Sequence, residues 1–289
     1  MNPLKGISVA VRLVPHRRSG RAGLLMAAAV CGIALIGPFL APYSATDLVG
    51  SPFSPASHAY PLGIDFNGRD VLSRVLWGGR TVLALGISAT LLAYIVGGSI
   101  GLVAGSNRAK LDAILMRAMD VVLAFPPLLF LLILATGAGP SLVALVIGIA
   151  VVHVPGIARV IRAATLDVSV RGFVEAAHAR GEPMLRILRR EILPNIGSTI
   201  AADAGPRFTV SILLVAAVNY LGLGLRPPAA DWAVMISENR SALTIPPWDV
   251  SLSVFVPALM LAVLTVGVNL LADSLARSSG RSVYEHELR

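Results

Sequence analysis

Residues 141–163 read SLVALVIGIAVVHVPGIARVIRA and contain no acidic side chain. A helix needs about 20 largely apolar residues to cross a bilayer, and this stretch supplies them. Five other stretches have the same character, and together they predict six transmembrane helices, at about 22–42, 81–105, 113–136, 141–163, 205–223 and 251–275. The chain is therefore predicted to be an all-α, polytopic membrane protein.

The composition of the whole chain agrees with this prediction. Of its 289 residues, 55% are hydrophobic and 14% are charged, whereas a soluble domain has about 45–50% apolar and about 25% charged residues. The high hydrophobicity also excludes an intrinsically disordered chain. A single cysteine, Cys31, excludes a disulfide scaffold and a cysteine-rich zinc site.

The basic residues indicate how the chain is oriented in the membrane. Of the 24 Lys and Arg residues, 19 fall in segments on the same side as the N-terminus and 5 fall on the other side. Cytoplasmic loops carry the excess of positive charge, so we expect both termini in the cytoplasm. Topology thus accounts for the net charge of +8, and no nucleic-acid partner is expected.

Two long loops divide the chain. The outer loop, about 43–80, is rich in Pro, Ser and Gly and ends in a helical-looking stretch from Asp70 to Trp77. The inner loop lies at about 164–204. We therefore expect a cytoplasmic N-terminal segment 1–21, a first helix and outer loop 22–80, a core domain 81–276 that includes the inner loop, and a cytoplasmic tail 277–289.

The inner loop is charged and patterned. Gly181 suits the positive-φ position that follows a helix, Pro183 suits the first turn of a second helix, and Pro194 ends that second helix. The pattern thus predicts two short helices with a break between them. The second helix is predicted to have one apolar face, formed by Met184, Leu185, Leu188 and Ile192.

Two interpretations of this loop remain open from the pattern alone. Ala176 and Ala177 leave the backbone accessible beside Glu175, and small residues allow a partner surface to approach closely. Alternatively, the second helix lies on the membrane with its arginines near lipid head groups. These arginines are Arg186, Arg189 and Arg190.

Several motifs, in this order, resemble those of a known family. Glu175-Ala176-Ala177, then Gly181, then Ile192-Leu193-Pro194 resembles the signature loop of ABC-importer permeases. The wider chain, from about residue 20 to 276, resembles the C-type permease of the dipeptide, oligopeptide and nickel branch. The motifs that carry this wider resemblance are Pro61–Asp65 with Gly68–Arg74, Leu115–Arg117 with Asp120 and Ala124–Pro126, and Leu221–Gly224 with Pro227, Pro228 and Trp232.

The resemblance implies a type I ABC-importer-like fold in a bacterial plasma membrane. The chain would pair with a homologous second permease, two ATPase subunits or domains would dock on the cytoplasmic side, and an external solute-binding protein would deliver the cargo. That cargo would be a dipeptide or oligopeptide, with haem, glutathione or nickel as alternatives. The residues implied in ATPase docking and coupling are Glu175, Ala176, Ala177, Gly181, Ile192, Leu193 and Pro194.

The chain departs from the family's pattern at three positions. It has Glu191 and Tyr60 where many members have histidine, and Val215 where many members carry an acid within a span, which predicts a less polar half-pathway. A pathway or gate is expected at Val215, Asn219, Tyr220, Leu221 and Gly222. The binding protein is expected to meet the outer loop and the segment 224–250, with contacts from Asp65, Arg69, Asp70 and Trp232.

No ATP site is expected in this chain. A phosphate-binding loop needs Gly-Lys followed by Ser or Thr, but Lys5 follows Leu4 and Lys110 follows Ala109. ATP and Mg would therefore bind to the partner ATPase. The chain has no nucleophile motif and no clustered His/Cys metal set, so neither catalytic activity nor a resident cofactor or metal is expected.

The alternative class is an ion-coupled secondary transporter, which places ionisable residues inside the membrane. His153 lies midway along the fourth span. Asp120 lies three residues from Arg117, and Asp203 lies four residues from Arg207, so each pair is predicted to form an ion pair along its own helix.

Two further patterns predict structure rather than chemistry. Asp65–Asp70 resembles part of a calcium loop but lacks the EF-hand spacing, so we expect a turn at Asn67-Gly68. The second span carries small residues that predict close helix packing. They are Gly97, Gly98, Gly101 and Gly105.

Overall fold

The computed structural model describes residues 18–106, 109–139, 141–225 and 227–287. The predicted N-terminal segment 1–21 lies mostly outside the described residues, and so does the end of the predicted tail, at 288–289. The described residues are mainly helical and form no strand, although the outer loop makes two isolated β-bridges, Leu48 with Arg69 and Ile64 with Asp70.

The helices follow one another in an order that confirms the all-α, multi-span prediction. Within the described residues, five helices are long and apolar enough to cross a membrane, or six if the bent pair α3 and α4 forms one broken span. The helices are α1 (Arg18–Leu40), α2 (Val71–Ala104), α3 (Ala109–Leu123), α4 (Pro127–Ala138), α5 (Leu142–Ser169), α6 (Gly172–Ala179), α7 (Met184–Ile187), α8 (Leu193–Asn195), α9 (Gly197–Tyr220), α10 (Trp232–Glu238) and α11 (Leu252–Glu287). A π-helical turn, Leu188–Ile192, joins α7 to α8, and two 3₁₀ turns, Arg240–Thr244 and Trp248–Ser251, precede α11.

Two spans differ from the sequence prediction. Helix α2 begins at Val71 rather than near residue 81, because the Asp70 carboxylate caps it by accepting the backbone N–H of Ser73 at 2.8 Å. The predicted third span is broken, and its two halves meet at 78°. Pro126 and Pro127 stand at the break, where neither can donate the N–H that a continuous helix requires.

Helices α2 and α5 pack in parallel through glycines. A Cβ on Gly97 would lie 2.8 Å from the carbonyl oxygen of Val154, and one on Gly101 would lie 2.6 Å from that of Ala158. A Cβ on Gly105 would lie 2.6 Å from the Thr165 side chain. The predicted close packing is thus confirmed at three of the four glycines, since Gly98 has open space around it.

An arginine compensates for the proline inside α1. Pro38 has no N–H, so it cannot bond to the carbonyl of Ala34 as a helical residue would. Arg80 of α2 donates instead, from Nε to the Ala34 carbonyl at 3.2 Å and from a terminal nitrogen to the Leu35 carbonyl at 2.7 Å. Its guanidinium also lies 5.1 Å from the centre of the Phe39 ring.

The bundle has two distinct ends. One end carries the patterned loop, which we define as residues 170–196. The other carries the cap, which we define as residues 41–70 and 221–251. Helix α2 starts at the cap and ends beside the last turns of α5, and α9 runs back from the patterned loop to the cap.

The α2–α5 contact generates a prediction with a matched control. Gly101→Ala should destabilise the protein by about 1–3 kcal/mol, because a packed interior does not yield easily to an added methyl group. Gly98→Ala should be neutral or mildly stabilising, since alanine favours the helix by about 1 kcal/mol over glycine. Apparent melting temperatures of the two variants in detergent check this, and an equal effect at both positions would contradict it.

Candidate functional site

The backbone of the patterned loop is fixed by a helix-ending motif. Gly181 follows the end of α6 with φ +74°, and its N–H bonds to the His178 carbonyl at 2.9 Å. The N–H of Glu182 bonds to the Ala177 carbonyl at 3.2 Å. This is the Schellman arrangement, which needs a left-handed residue, so the predicted role of Gly181 in ending the helix is confirmed.

The second half of the loop also ends much as predicted. Pro183 is the extended residue just before α7 rather than a member of its first turn. In the π turn the N–H of Leu193 bonds to the carbonyl of Leu188, five residues back. Pro194, which has no N–H, follows directly, and the helix ends at Asn195.

Apolar side chains anchor the loop to the bundle. Val174 of α6, together with Ile187 and Ile192 further along the loop, packs in one cluster with Ile157 and Ile161 of α5. All five side chains are buried. The loop is therefore a folded extension of α5 and α9.

Two details of the predicted surface need correction. Ala177 is fully buried in the same cluster, whereas Glu175 and Ala176 are exposed, so only one of the two alanines leaves the backbone accessible. On the second helix Leu185 is 66% exposed and Ile187 takes its place on the buried face. Leu185 and Ile187 flank Met184 and Leu188 on opposite sides of a helical wheel. Because α5 lies on the side of Ile187, Ile187 is buried and Leu185 is exposed.

The exposed part of the patterned loop combines apolar and basic side chains. Phe173, Leu185 and Leu193 are exposed hydrophobic residues, and Pro194 is also exposed. The exposed arginines of the second half are Arg186, Arg189 and Arg190. A surface of this kind suits contact with a partner.

A buried ionic network holds the cap together. Arg74 of α2 forms ion pairs with Asp65 and with Glu238 of α10, the latter at 2.7 Å. Asp65 also accepts the backbone N–H groups of Asn67 at 2.8 Å and Arg69 at 2.9 Å. These bonds and Gly68, with φ +84°, form the turn that was predicted at Asn67-Gly68.

The residues expected to meet a binding protein turn out to be internal. Asp65, Arg69, Asp70 and Trp232 are all buried. The Trp232 indole lies against Gly78 and Gly79 of α2 and donates to the Val75 carbonyl at 2.9 Å. Their position in loops suggested exposure, but the cap covers all four side chains, so the expectation that they are exposed is corrected.

Some of the residues expected at a pathway or gate are buried and others are exposed. Val215 is fully buried among its own chain's helices. Asn219 is also buried, and its Oδ1 accepts the N–H of Leu225 at 3.0 Å. Tyr220 and Leu221 are exposed, and Gly222 turns the chain with φ +74°. Val215 and Asn219 therefore shape the cap end of α9 from inside, and the exposed residues remain predictions.

The ionisable residues inside the spans pair mostly between helices. Asp120 pairs with Arg159 of α5, not with Arg117 as predicted, because α5 lies against that side of α3. Asp203 and Arg207 do pair, at 3.3 Å, and Asp203 also accepts the Tyr94 hydroxyl at 2.6 Å. Tyr94 lies 109 residues from Asp203, so no local pattern could have identified it.

The histidine in the middle of α5 has an unpaired ring nitrogen. His153 is buried, and its Nε2 has no hydrogen-bond partner. No group of three or more His, Cys, Asp or Glu side chains that could hold a metal occurs within the described part of the chain.

Asp231 is a buried carboxylate of the cap, outside the spans, and its pKa is shifted from the ordinary value. It caps α10 by accepting the N–H groups of Ala233 at 2.9 Å and Val234 at 3.2 Å. Burial nevertheless raises the pKa of Asp231 to about 6, although these bonds and the Asn219 amide act to lower it.

Comparison with known proteins places this geometry in context. Residues 97–283 match the model of the binding-protein-dependent transport system inner membrane component family. A di/tripeptide transport system permease of Pseudomonas aeruginosa is 33% identical, covering 90% of this chain and 87% of that protein. A glutathione transport system permease of Pectobacterium atrosepticum is 36% identical, covering 76% and 71%.

The fold is also similar to that of a solved transporter. The structure of the MetNI methionine ABC transporter in inward-facing conformations aligns with a TM-score of 0.57 and 17% identity. The alignment covers 71% of this chain and 95% of that one. At this identity the similarity concerns the fold alone.

The two alanines of the loop should respond differently to enlargement. Ala177→Leu should lower stability by about 1–3 kcal/mol, because the extra atoms have no space in the buried cluster. Ala176→Leu adds the same atoms to an exposed position and should leave the melting temperature in detergent nearly unchanged. If Ala176→Leu were the more damaging of the two, the assignment of the buried face would be wrong.

The pKa of Asp231 generates a prediction about pH. A carboxyl group whose pKa is raised in the folded state favours folding at low pH, and this contribution is lost as the pH rises through about 6. Asp231→Asn keeps a capping oxygen but cannot titrate. The melting temperature of the native protein should therefore fall more steeply than that of Asp231→Asn between about pH 4 and about pH 7; parallel curves would contradict this.

Proposed function

The chain belongs to the family of binding-protein-dependent transport system inner membrane components, and we propose that it forms half of the pathway of an ATP-driven importer of short peptides. Membership makes it a permease subunit of an ABC importer in a bacterial inner membrane. The patterned loop carries the proposal. It is anchored on α5 and presents Glu175 to the outside of the bundle.

The choice of cargo rests on the relatives. The first is named for di- and tripeptides, the second for glutathione, which is itself a tripeptide, and a third, from Haemophilus influenzae, for dipeptides at 31% identity over 90% of this chain. We infer that this chain serves a dipeptide or oligopeptide system. The buried position of Val215 means that its lack of charge does not bear on the polarity of the pathway.

The proposed assembly follows from the family. A homologous second permease completes the pathway, two ATPase subunits or domains bind ATP and Mg, and an external binding protein delivers the peptide. The excess of basic residues on the side of the N-terminus orients the patterned loop toward the cytoplasm, where the ATPases lie. The family is one of binding-protein-dependent systems, and the ion-coupled alternative is not supported.

Coupling proceeds through the anchored loop. When ATP closes the ATPases, the docked α6 moves with them, and its buried contacts transmit the movement to α5. The loop also continues directly into α9, so a second long helix receives the same displacement. ATP thereby biases the bundle between inward and outward access, as a ligand biases any two-state equilibrium.

The binding protein is proposed to meet exposed residues of the cap. The buried network of Arg74, Asp65 and Glu238 gives the cap a fixed shape. Leu48, Phe66 and Leu243 are large apolar side chains that remain exposed on it. These residues replace the four buried ones as the expected contacts, because exposed apolar groups are what a docking partner can cover.

Glu175→Arg tests the coupling proposal. The variant should insert normally but lose ATPase co-purification and reduce ATP-dependent peptide uptake by about tenfold or more, because a reversed charge at an interface repels the partner it normally attracts. The experiment compares pull-down and uptake in membrane vesicles that contain the whole transporter.

Asp47→Arg is the matched control, since it makes the same charge change at an exposed position of the cap. It should retain the co-purifying ATPase, because it lies at the other end of the bundle. Uptake at the native level in Glu175→Arg would rule out the coupling role of this residue.

A further inference from the structure

One side of α5 carries charge inside the membrane-spanning part of the bundle. Arg159 pairs with Asp120 of α3. One turn away, the Arg207 guanidinium from α9 lies against Gly156, where a Cβ would be 2.6 Å from a terminal nitrogen. Residues three and four apart share a helix face. The charged seam, as we name it, consists of Arg117, Asp120, Gly156, Arg159, Ala163 and Arg207.

The seam lies in the inner half of the predicted spans. Arg159 is four residues inside the predicted end of the fourth span at 163, and Asp120 is seven residues inside the predicted start of the third span at 113, or about 6 Å and about 10 Å at 1.5 Å per residue. The hydrocarbon core is about 30 Å thick. The ion pair is nevertheless open, with the Arg159 side chain 50% exposed and that of Asp120 59% exposed. Charged groups at such depth face a protein interior or water rather than lipid.

The helix break supplies an independent reason. Residues 124–126 leave the helical path between α3 and α4, one turn beyond Asp120, and Ala124 and Phe125 are exposed in this chain. Non-helical backbone at membrane depth is tolerated only where protein buries it or where it lines a water-filled cavity. Backbone and side chains thus exclude lipid from the same region.

We propose that the charged seam and the adjoining break form this subunit's water-facing wall of the translocation pathway. The inference rests on the proposed function, because it assumes a pathway that a second permease completes. Water satisfies both Arg117, which forms no ion pair within the described residues, and the half-exposed pair of Arg159 and Asp120, whereas a dry contact would need a separate partner group for each. The wall is thereby assigned to α3, α5 and the first half of α9, away from buried Val215.

Thiol labelling tests this assignment, since Cys31 is the chain's single cysteine. In a Cys31→Ala background, Val121→Cys places a thiol beside Asp120 without removing a charge. Ile95→Cys on α2 is the control. The native side chains are equally exposed, at 65% and 66%. Counted from the helix ends on the side of the patterned loop, Ile95 lies nine residues before Ala104 and Val121 lies twelve residues after Ala109, so the control is not the deeper of the two positions.

A charged methanethiosulfonate reagent should modify Val121→Cys at least about tenfold faster than Ile95→Cys in vesicles that hold the complete transporter, because only a hydrated thiol ionises readily. Phe125→Cys, at the break, should be labelled as fast as Val121→Cys. If Val121→Cys fails to assemble, the labelling rate of Phe125→Cys relative to Ile95→Cys tests the proposal instead. Equally slow reaction at seam and control would place the seam against lipid or a dry protein contact and overturn the inference. Equally fast reaction would also overturn it, because water would then not be confined to the seam.

Peptide uptake in the same vesicles separates this inference from the proposed function. If uptake depends on ATP but the seam thiols react slowly, the wall lies elsewhere and the importer assignment stands. If uptake is independent of ATP, the importer assignment fails whatever the labelling rates.

Discussion

A bilayer core offers no hydrogen bonds, and this constraint accounts for much of the structure. Each proline inside a span leaves a carbonyl without its helical donor. In α1 the solution is Arg80, which donates to the carbonyls of Ala34 and Leu35. At the break between α3 and α4 the chain bends instead, and the N–H of Phe125 bonds at 3.3 Å to the carbonyl of Val122, to which Pro126 cannot donate.

The remaining architecture links two ends with different tasks. At the cap the ion pairs of Arg74 are buried, and Leu48, Phe66 and Leu243 are among the side chains that remain exposed. At the patterned loop Val174, Ile187 and Ile192 are buried against α5, and Glu175 is exposed on the helix that they anchor. The glycine contacts between α2 and α5 connect these ends, because they bring the backbones too close for independent sliding.

Local patterns predicted local features well. The number and order of the spans, the left-handed Gly181 and the close packing at Gly97, Gly101 and Gly105 all follow from short stretches of sequence. The partners of charged groups did not follow, because Asp120 chooses Arg159 over the nearer Arg117 only once α5 is in place. The exposure of Leu185 and the burial of Asp65 likewise depend on where distant helices lie, which no single segment encodes.

The ionic network of the cap also bears on biosynthesis. Asp65 and Arg74 are nine residues apart, whereas Glu238 is 164 residues from Arg74 along the chain. Because synthesis runs from the N-terminus, α10 cannot close the network until most of the polypeptide has been made.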